Sequence, residues 1–349
     1  MTLTLRDRIR GCLLAGAIGD ALGAPVEFAS LAEIVDRFGP AGLTGYAPAY
    51  GRDGGAITDD TQMTLFTAEG LLRARAAGVD AETDAFVQRA YWRWLATQGH
   101  EPPAAAGDVR DGWLFALDDL HRRRGPGTTC LTTLVSGQVG AVGRPVNCSK
   151  GCGGIMRAAP AGIVAAGLAA FDLGVRTAAL THGHPSGYLA AGVHALLVAE
   201  LLAGAGLDAA LDVAVALLRD HDGHEETLAA IDAARRLAAE GPPTALRLAT
   251  LGEGWVAEET LAIAVYAALS HPGPHEVVAG LLLAVNHDGD TDSTGSVTGN
   301  LLGALHGVPA LPRNLLDDLE LATVLTTVAD DLHAVFHGTA PVPDRYPPR

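Results

Sequence analysis

Aromatic side chains are scarce in this chain: Phe, Tyr and Trp make up 5% of its 349 residues, and the apolar remainder is mostly Ala, Leu and Val. Sheet sandwiches and barrels draw on β-branched and aromatic residues to fill a pleated face, whereas Ala and Leu suit closely packed helices. Basic residues are scarce too. Lys and Arg number 24 against 40 Asp and Glu, a formal net charge of -16, which repels nucleic-acid phosphates and leaves no Lys/Arg stripe to hold them. The one basic cluster, Arg122-Arg123-Arg124, reads as the cap of a helix C-terminus. Cysteine is limited to Cys12, Cys130, Cys148 and Cys152, too few for a disulfide framework in a chain this long. With no secretory leader in view, a reducing, cytoplasmic setting is the expectation.

No charge run, Ser/Gly tract or Pro-dense linker divides the chain, so one domain is expected over 1–340, followed by a short tail, 341–349. A membrane span is missing as well. The apolar stretch Gly11 to Val26 is interrupted by Asp20 and closed by Glu27, short of the roughly 20 apolar residues a span requires, and it reads as a buried core helix. Strand alternation is absent apart from room for short strands near Leu43 to Tyr46. What is present is helical periodicity, at about 5–24, 59–78, 83–98, 108–123, 128–141, 170–180, 186–204, 208–220, 226–239, 255–270, 275–286, 294–306 and 317–335. With 48% hydrophobic residues, a chain of this length buries roughly three quarters of the surface its unfolded form exposes. The expected fold class is all-α, a compact orthogonal multi-helix bundle in a single domain.

Small residues recur at every fourth position twice: Gly11, Ala15, Gly19 and Gly23 near the start, Gly295, Gly299, Gly303 and Gly307 near the end. Each glycine costs a helix up to about 1 kcal/mol relative to Ala. Four in one stripe call for a packing reason, and close backbone approach in the core supplies one.

Two acidic segments could do chemistry. Ile57-Thr58-Asp59-Asp60-Thr61-Gln62 precedes an apolar helical run; Asp59 with Gln62 also matches a capping box that merely complements the helix dipole. Asn286-His287-Asp288-Gly289-Asp290-Thr291-Asp292-Ser293 sets three carboxylates at alternate positions ahead of the second glycine stripe. Like charges about 4 Å apart repel by up to about 4 kcal/mol at an effective dielectric of 20, a cost that a cation removes. An EF-hand is excluded, because its sixth and twelfth positions here are Ser293 and Gly299; a solvated helix-capping loop is the plainer alternative. Oxygen donors such as these suit Mg²⁺ or Mn²⁺ over Zn²⁺.

A glycine-rich loop, Asn147 to Arg157, offers backbone N–H groups that could cradle phosphates. It lacks the Gly-Lys-Ser/Thr ending of a P-loop, and no strand precedes it as a dinucleotide fingerprint needs. Cys148 and Cys152 have no second pair to complete a zinc site and read as buried or neutral thiols. His182 and His184, ahead of Pro185 at an expected helix start, are candidate metal or ligand contacts or simple loop residues.

Taken in order, Gly11 to Gly23 with Glu27, Thr58-Asp59-Asp60, Ser149 to Arg157, Thr181-His182-Gly183-His184-Pro185-Ser186-Gly187-Tyr188 and Asp288-Gly289-Asp290-Thr291-Asp292-Ser293 resemble the ADP-ribosylglycohydrolases, over about residues 5–310. Arg124-Gly125-Pro126-Gly127-Thr128 and Tyr91-Trp92-Arg93-Trp94-Leu95 are also similar to bacterial members. The resemblance implies an all-α fold, a binuclear Mg²⁺ or Mn²⁺ centre, and hydrolysis of the glycosidic bond between ADP-ribose and an acceptor, a protein side chain or small molecule. Carried over by position, it implies Thr58, Asp59 and Asp60 as one ligand group and Asp290, Asp292 and Ser293 as the other, with Ser where many members have Thr. It implies Ser149, Gly151, Gly153 and Gly154 along the phosphate and ribose path, His182 near the distal ribose, and Glu27 and Asp292 in catalysis. Lys150 and Cys152 stand where some eukaryotic members carry Tyr and Asn. Rival readings are a metal-free glycosidase with two carboxylates, a two-metal phosphoesterase acting on an ADP-ribose-like nucleotide, and a protein that binds ADP-ribose without turnover.

Overall fold

Thr4 opens the first helix with a capping box, accepting from the Asp7 amide while the Asp7 carboxylate accepts from the Thr4 amide at 3.2 Å. The computed structural model describes residues 3–79 and 82–348, and among these the chain forms sixteen α-helices with no strand. They are α1 (Leu5–Gly23), α2 (Leu31–Phe38), α3 (Asp59–Ala77), α4 (Thr83–Thr97), α5 (Thr128–Ser136), α6 (Ala159–Val164), α7 (Leu168–Ala179) and α8 (Pro185–Leu202). The second half holds α9 (Leu207–Leu218), α10 (Glu225–Ala239), α11 (Ala245–Leu248), α12 (Ala257–Ser270), α13 (Val277–Val285), α14 (Thr291–His306), α15 (Arg313–Asp318) and α16 (Ala322–Leu332). The all-α expectation holds, and Leu43 to Tyr46 form no strand.

The two glycine stripes meet. A Cβ on Gly19 would lie 2.0 Å from Gly295 O, one on Gly299 2.0 Å from Ala15 O, and one on Gly303 2.1 Å from Gly11 O, so only glycine lets the backbones of α1 and α14 approach this closely. The first and last parts of the sequence are thereby joined at the centre of the molecule. Helices α8, α12 and α13 pack on α14, and α7 packs on α8. α8 is long and apolar enough to cross a membrane, yet 89% of it is buried inside the protein, the pattern of a core helix hydrophobic on every side. The Gly11 to Val26 stretch is likewise interior: every residue of α1 from Gly11 onward is buried.

Several elements differ from the periodicity. Helix α2 was not expected, although Ser30 and Glu33 form a full capping box at its start. Residues 108–123 are irregular apart from a short 3-10 turn at Asp118–Leu120. Gly107 and Gly112 take φ of 64° and 91° there, and Asp111 is drawn inward to Arg73 and Arg93 at 3.0 Å each. α5 stops at Ser136 because Gly137 turns left-handed, and the expected helix over 317–335 is broken by Leu321 at φ 59°. The Arg122 to Arg124 run caps no α-helix: Arg124 is buried in an ion pair with Glu320 and donates to Ile57 O at 2.9 Å, while the Ile57 amide donates to Glu320 at 3.2 Å. That pair clamps the strand of chain entering α3. In the tail, Tyr346 is buried and donates its hydroxyl to Asp331 at 2.7 Å.

Candidate active site

The first turns of α3 and α14 face the same cavity. Thr58 is the N-cap of α3, its hydroxyl accepting from the Asp60 amide at 3.3 Å, which puts Asp59 and Asp60 in the first turn. The capping box of Asp59 with Gln62 is therefore not formed; the Gln62 carboxamide oxygen instead accepts from Trp94 Nε1 at 3.1 Å and Gln98 Nε2 at 3.0 Å. Asp290 is the N-cap of α14 and accepts from the Ser293 amide at 3.3 Å. Both turns are buried, so the solvated-loop alternative for 286–293 fails: Asp59, Asp60, Asp290, Asp292 and Ser293 are each less than 5% exposed. Only Asp288 points away, capping the Leu31 amide at 2.7 Å.

A cavity of about 330 Å³ is lined by Glu27, Asp59, Asp60, Asp290, Asp292 and Ser293, by Gly125 to Cys130, and by Gly151, Cys152, Gly153, Met156 and His182, with Phe28 and Trp255 also on its wall. Among the described residues no Lys or Arg lines it. Carboxyls packed this way resist ionisation. Burial first, then the Asp292 charge, lifts Asp59, Asp60 and Asp290 well above the usual carboxylate range, and the same causes push Glu27 up to about 10. Glu27 Oε2 and Asp60 Oδ1 are buried with no hydrogen-bond partner among the described residues. A hard cation fits this donor set, since it would satisfy the orphaned oxygens and offset the repulsion together. Among the described residues no group of three His, Cys, Asp or Glu side chains is placed to hold a metal ion by itself, so a cation here would need further oxygen donors, of the kind the Thr58 and Ser293 hydroxyls offer.

The glycine loop is pinned from both sides. Its Gly151 amide donates to Ser149 Oγ at 3.3 Å and its Cys152 amide to Trp255 O at 3.2 Å, so fewer amides are free to cradle an anion than the sequence suggests. Across the cavity, a Cβ on Gly125 would lie 3.3 Å from both Glu27 Oε2 and the Tyr50 hydroxyl and 3.6 Å from Asp59 Oδ1. Phe28 and Trp255 stack with ring centroids 5.8 Å apart, Phe28 being 78% exposed.

The ADP-ribosylglycohydrolase family model matches residues 1–341. The chain belongs to that family. Among its relatives are the ADP-ribosyl-(dinitrogen reductase) glycohydrolase of Rhodospirillum rubrum, 27% identical over 91% of this chain and 92% of that protein, and the mouse ADP-ribosylhydrolase ARH3, 25% identical over 96% and 93%. A solved ADP-ribosylglycohydrolase-related protein complex has the same fold, with a TM-score of 0.65 and 26% identity over 96% of this chain and 99% of that one.

In this glycohydrolase fold, Glu27, Asp59, Asp60, Asp290, Asp292, Ser293, Gly151, Gly153 and His182 come together on one cavity, whereas Thr58, Ser149 and Gly154 are not among its lining residues. Ser149 Oγ lies 3.0 Å from Thr129 Oγ1, and Gly154 packs against Ala178 and Gly187. His184 caps α8, accepting from the Ser186 amide at 3.2 Å. Cys152 donates its thiol to Asp290 Oδ2 at 2.7 Å and is held protonated by burial and that carboxylate; Cys148 is exposed and elsewhere.

Sequence reading missed Asp20. This carboxylate is fully buried, accepts from the Thr58 amide at 2.9 Å and the Thr61 amide at 3.1 Å, and is raised to about 7 by burial and Asp292. A single acid inside a long apolar run is the signal, because a buried charge needs partners. Phe28 and Trp255 carry no motif and were also unforeseen.

Proposed function

We propose that this protein hydrolyses the glycosidic bond between ADP-ribose and an acceptor, most fittingly a protein side chain, and releases ADP-ribose with the aid of two divalent cations, Mg²⁺ or Mn²⁺. One observation carries the reading: two helix N-termini deliver Asp59, Asp60, Asp290 and Asp292 onto a cavity whose lining holds no cationic side chain. Thr58, Asp59 and Asp60 would hold one ion, and Asp290, Asp292 and Ser293 the other. When bound, the ions supply Lewis-acid polarisation and offset charge that develops as the anomeric bond breaks.

The remaining work belongs to the chain's own groups. Glu27 reaches the cavity from the turn after α1 with one oxygen that has no partner among the described residues, placed to orient a water molecule and, once bound cations offset the repulsion that holds it protonated, to accept the water's proton. Asp292 faces the same space and, once its charge is balanced, steadies the positive character of the ribose. Gly151 and Gly153 leave room for the nucleotide to lie close to backbone, Ser149 braces their loop, Gly154 seats it on α7 and α8, and His182 offers a ring edge. The exposed Phe28 and Trp255 pair is a rim on which an acceptor protein can rest while the nucleotide enters. The Rhodospirillum relative, named for a protein acceptor, dinitrogen reductase, supports the same assignment here.

The test is a panel of ADP-ribosylated proteins, peptides and small molecules incubated with Mg²⁺, with Mn²⁺ or with chelator, and products identified by mass spectrometry. Free ADP-ribose formed only with metal is the expected result. Release of AMP would replace the reading with a phosphoesterase, and turnover in chelator with a two-carboxylate glycosidase.

A further inference from the structure

Behind the cavity wall, three buried residues form a hydrogen-bonded chain that ends on His182. Arg157 Nη2 donates to Thr181 Oγ1 at 2.6 Å, and Thr181 Oγ1 lies 2.8 Å from His182 Nδ1. Arg157, Thr181 and His182 are each no more than 1% exposed. A guanidinium can only donate, so the threonine oxygen accepts from Arg157 and its own proton must point elsewhere. Its acceptors are His182 Nδ1 at 2.8 Å, Ala178 O at 3.5 Å and the Cys130 sulfur, and the close nitrogen makes the strongest bond, sulfur being a weak acceptor. A proton on Nδ1 would instead take the oxygen's second lone pair and leave the threonine proton only the long contact to Ala178 O or the weak sulfur acceptor of Cys130. Nδ1 therefore keeps its lone pair, and the neutral ring carries its proton on Nε2.

That Nε2 edge faces the glycine loop: Cβ atoms on Gly151 and Gly153 would lie 3.6 Å and 3.2 Å from it. Among the described residues Nε2 has no hydrogen bond to protein, and His182 lines the cavity. Arg157 is itself immobilised, with its guanidinium 4.1 Å from the Tyr91 ring centre and its Nη1 3.3 Å from both Met63 Sδ and Cys130 Sγ. Burial, together with the Arg157 charge, holds His182 down to about 3, so the ring stays neutral at any working pH.

We propose that Arg157 and Thr181 are positioning residues that lock His182 in its Nε2–H form, giving the cavity a fixed neutral donor for a hydroxyl or phosphate oxygen of bound ADP-ribose. The identity of that ligand rests on the function proposed above; the locked ring does not. A ring free to exchange tautomers would serve donors and acceptors alike, whereas this one rejects a ligand whose group at that place can only donate, such as an ammonium.

Protein labelled with ¹⁵N at histidine gives ¹H–¹⁵N correlation patterns that separate Nε2–H from Nδ1–H rings, and the His182 signal is identified by its loss in His182→Asn. The Nε2–H pattern is expected in the native protein and in Thr181→Ser, and a shifted or mixed pattern in Thr181→Val. Calorimetric titration with ADP-ribose should show about tenfold weaker binding for Thr181→Val and near-native binding for Thr181→Ser. An Nδ1–H ring in the native protein, or an Nε2–H ring unmoved by a folded Thr181→Val, overturns the proposal. The native spectrum decides even where the valine variant fails to fold. Native protein that shows the Nε2–H ring but binds no ADP-ribose would leave the lock standing and remove the ligand assignment.

Discussion

Glu27 and the four aspartates share a cavity but enter it differently, and substitution separates their roles. Asp59 and Asp292 sit in first turns of helices; on the proposed function Asp59→Asn and Asp292→Asn each remove charge that the cations would require, so turnover should nearly vanish while the helical circular dichroism spectrum stays native. Metal-free melting temperatures should rise in both, because a repelling carboxylate is gone. Near-native activity in either variant at limiting metal would remove it from the ligand set. Glu27 lies on a turn outside both helix starts, so Glu27→Gln should lower single-turnover rates by about 10²–10⁴-fold with Mn²⁺ affinity by calorimetry little changed; a lost metal would move it among the ligands. Most of this site was legible as residues. Thr58 to Asp60 and Asp290 to Ser293 announce themselves by carboxylate density, whereas Glu27 stands out only through the family resemblance. Asp20 was passed over as an interruption in an apolar run because its partners, the amides of Thr58 and Thr61, become neighbours only in the folded chain. Phe28 and Trp255 were invisible for the same reason, their stacking joining segments from opposite ends of the sequence.

At the scale of elements, the contact of α1 with α14 fixes where the site forms, since Thr291 at the start of α14 donates its hydroxyl to Gly23 O at 2.9 Å, near the turn that carries Glu27. Gly19→Ala would bring a methyl to 2.0 Å from Gly295 O and 2.3 Å from its carbonyl carbon. No flexible side chain is there to yield, so the cost should reach about 3 kcal/mol or more, the upper end for overpacked cores. Gly143→Ala, with open space around it, should change stability by less than about 0.5 kcal/mol. Urea unfolding of both variants checks the contrast, and equal midpoints would refute the close-packing account. The stripe could be read in advance because a four-residue repeat of small residues is a local pattern with one physical use. Residues 108–123 could not: their helical spacing is overridden by Gly107 and Gly112 turning left-handed and by Asp111 reaching for Arg73 and Arg93. α2 carried its signal openly in Ser30 and Glu33, and only its short apolar face, with Ile34 the sole buried residue, hid it from periodicity.

For the whole molecule, the acidic cavity links folding to pH and, on the proposed function, to metal. In the unfolded chain its carboxyls ionise near pH 4, whereas in the fold burial and mutual repulsion hold Asp20 at about 7 and Glu27 at about 10, with Asp59, Asp60 and Asp290 well above their usual range. Between those limits the folded protein keeps protons that the unfolded chain has released, so stability falls as the pH rises. Divalent cations bound as proposed would replace the protons and should cancel the dependence. Metal-free protein is therefore expected to melt progressively lower from about pH 6.5 to about pH 8.5, with Mn²⁺ removing most of that slope, so that the gain in melting temperature on adding Mn²⁺ grows with pH. The buried histidines do not confuse this window. His182 and His194 are neutral in the fold, held down to about 3 and about 4 by burial, and above about pH 6.5 unfolded histidine is mostly neutral as well; their opposite effect, loss of stability on acidification, belongs to lower pH. Calorimetric melts in chelator and in Mn²⁺ at three pH values across the window make the comparison, and a Mn²⁺ gain that stays constant or shrinks with pH would mean that the cation binds somewhere other than among these carboxylates.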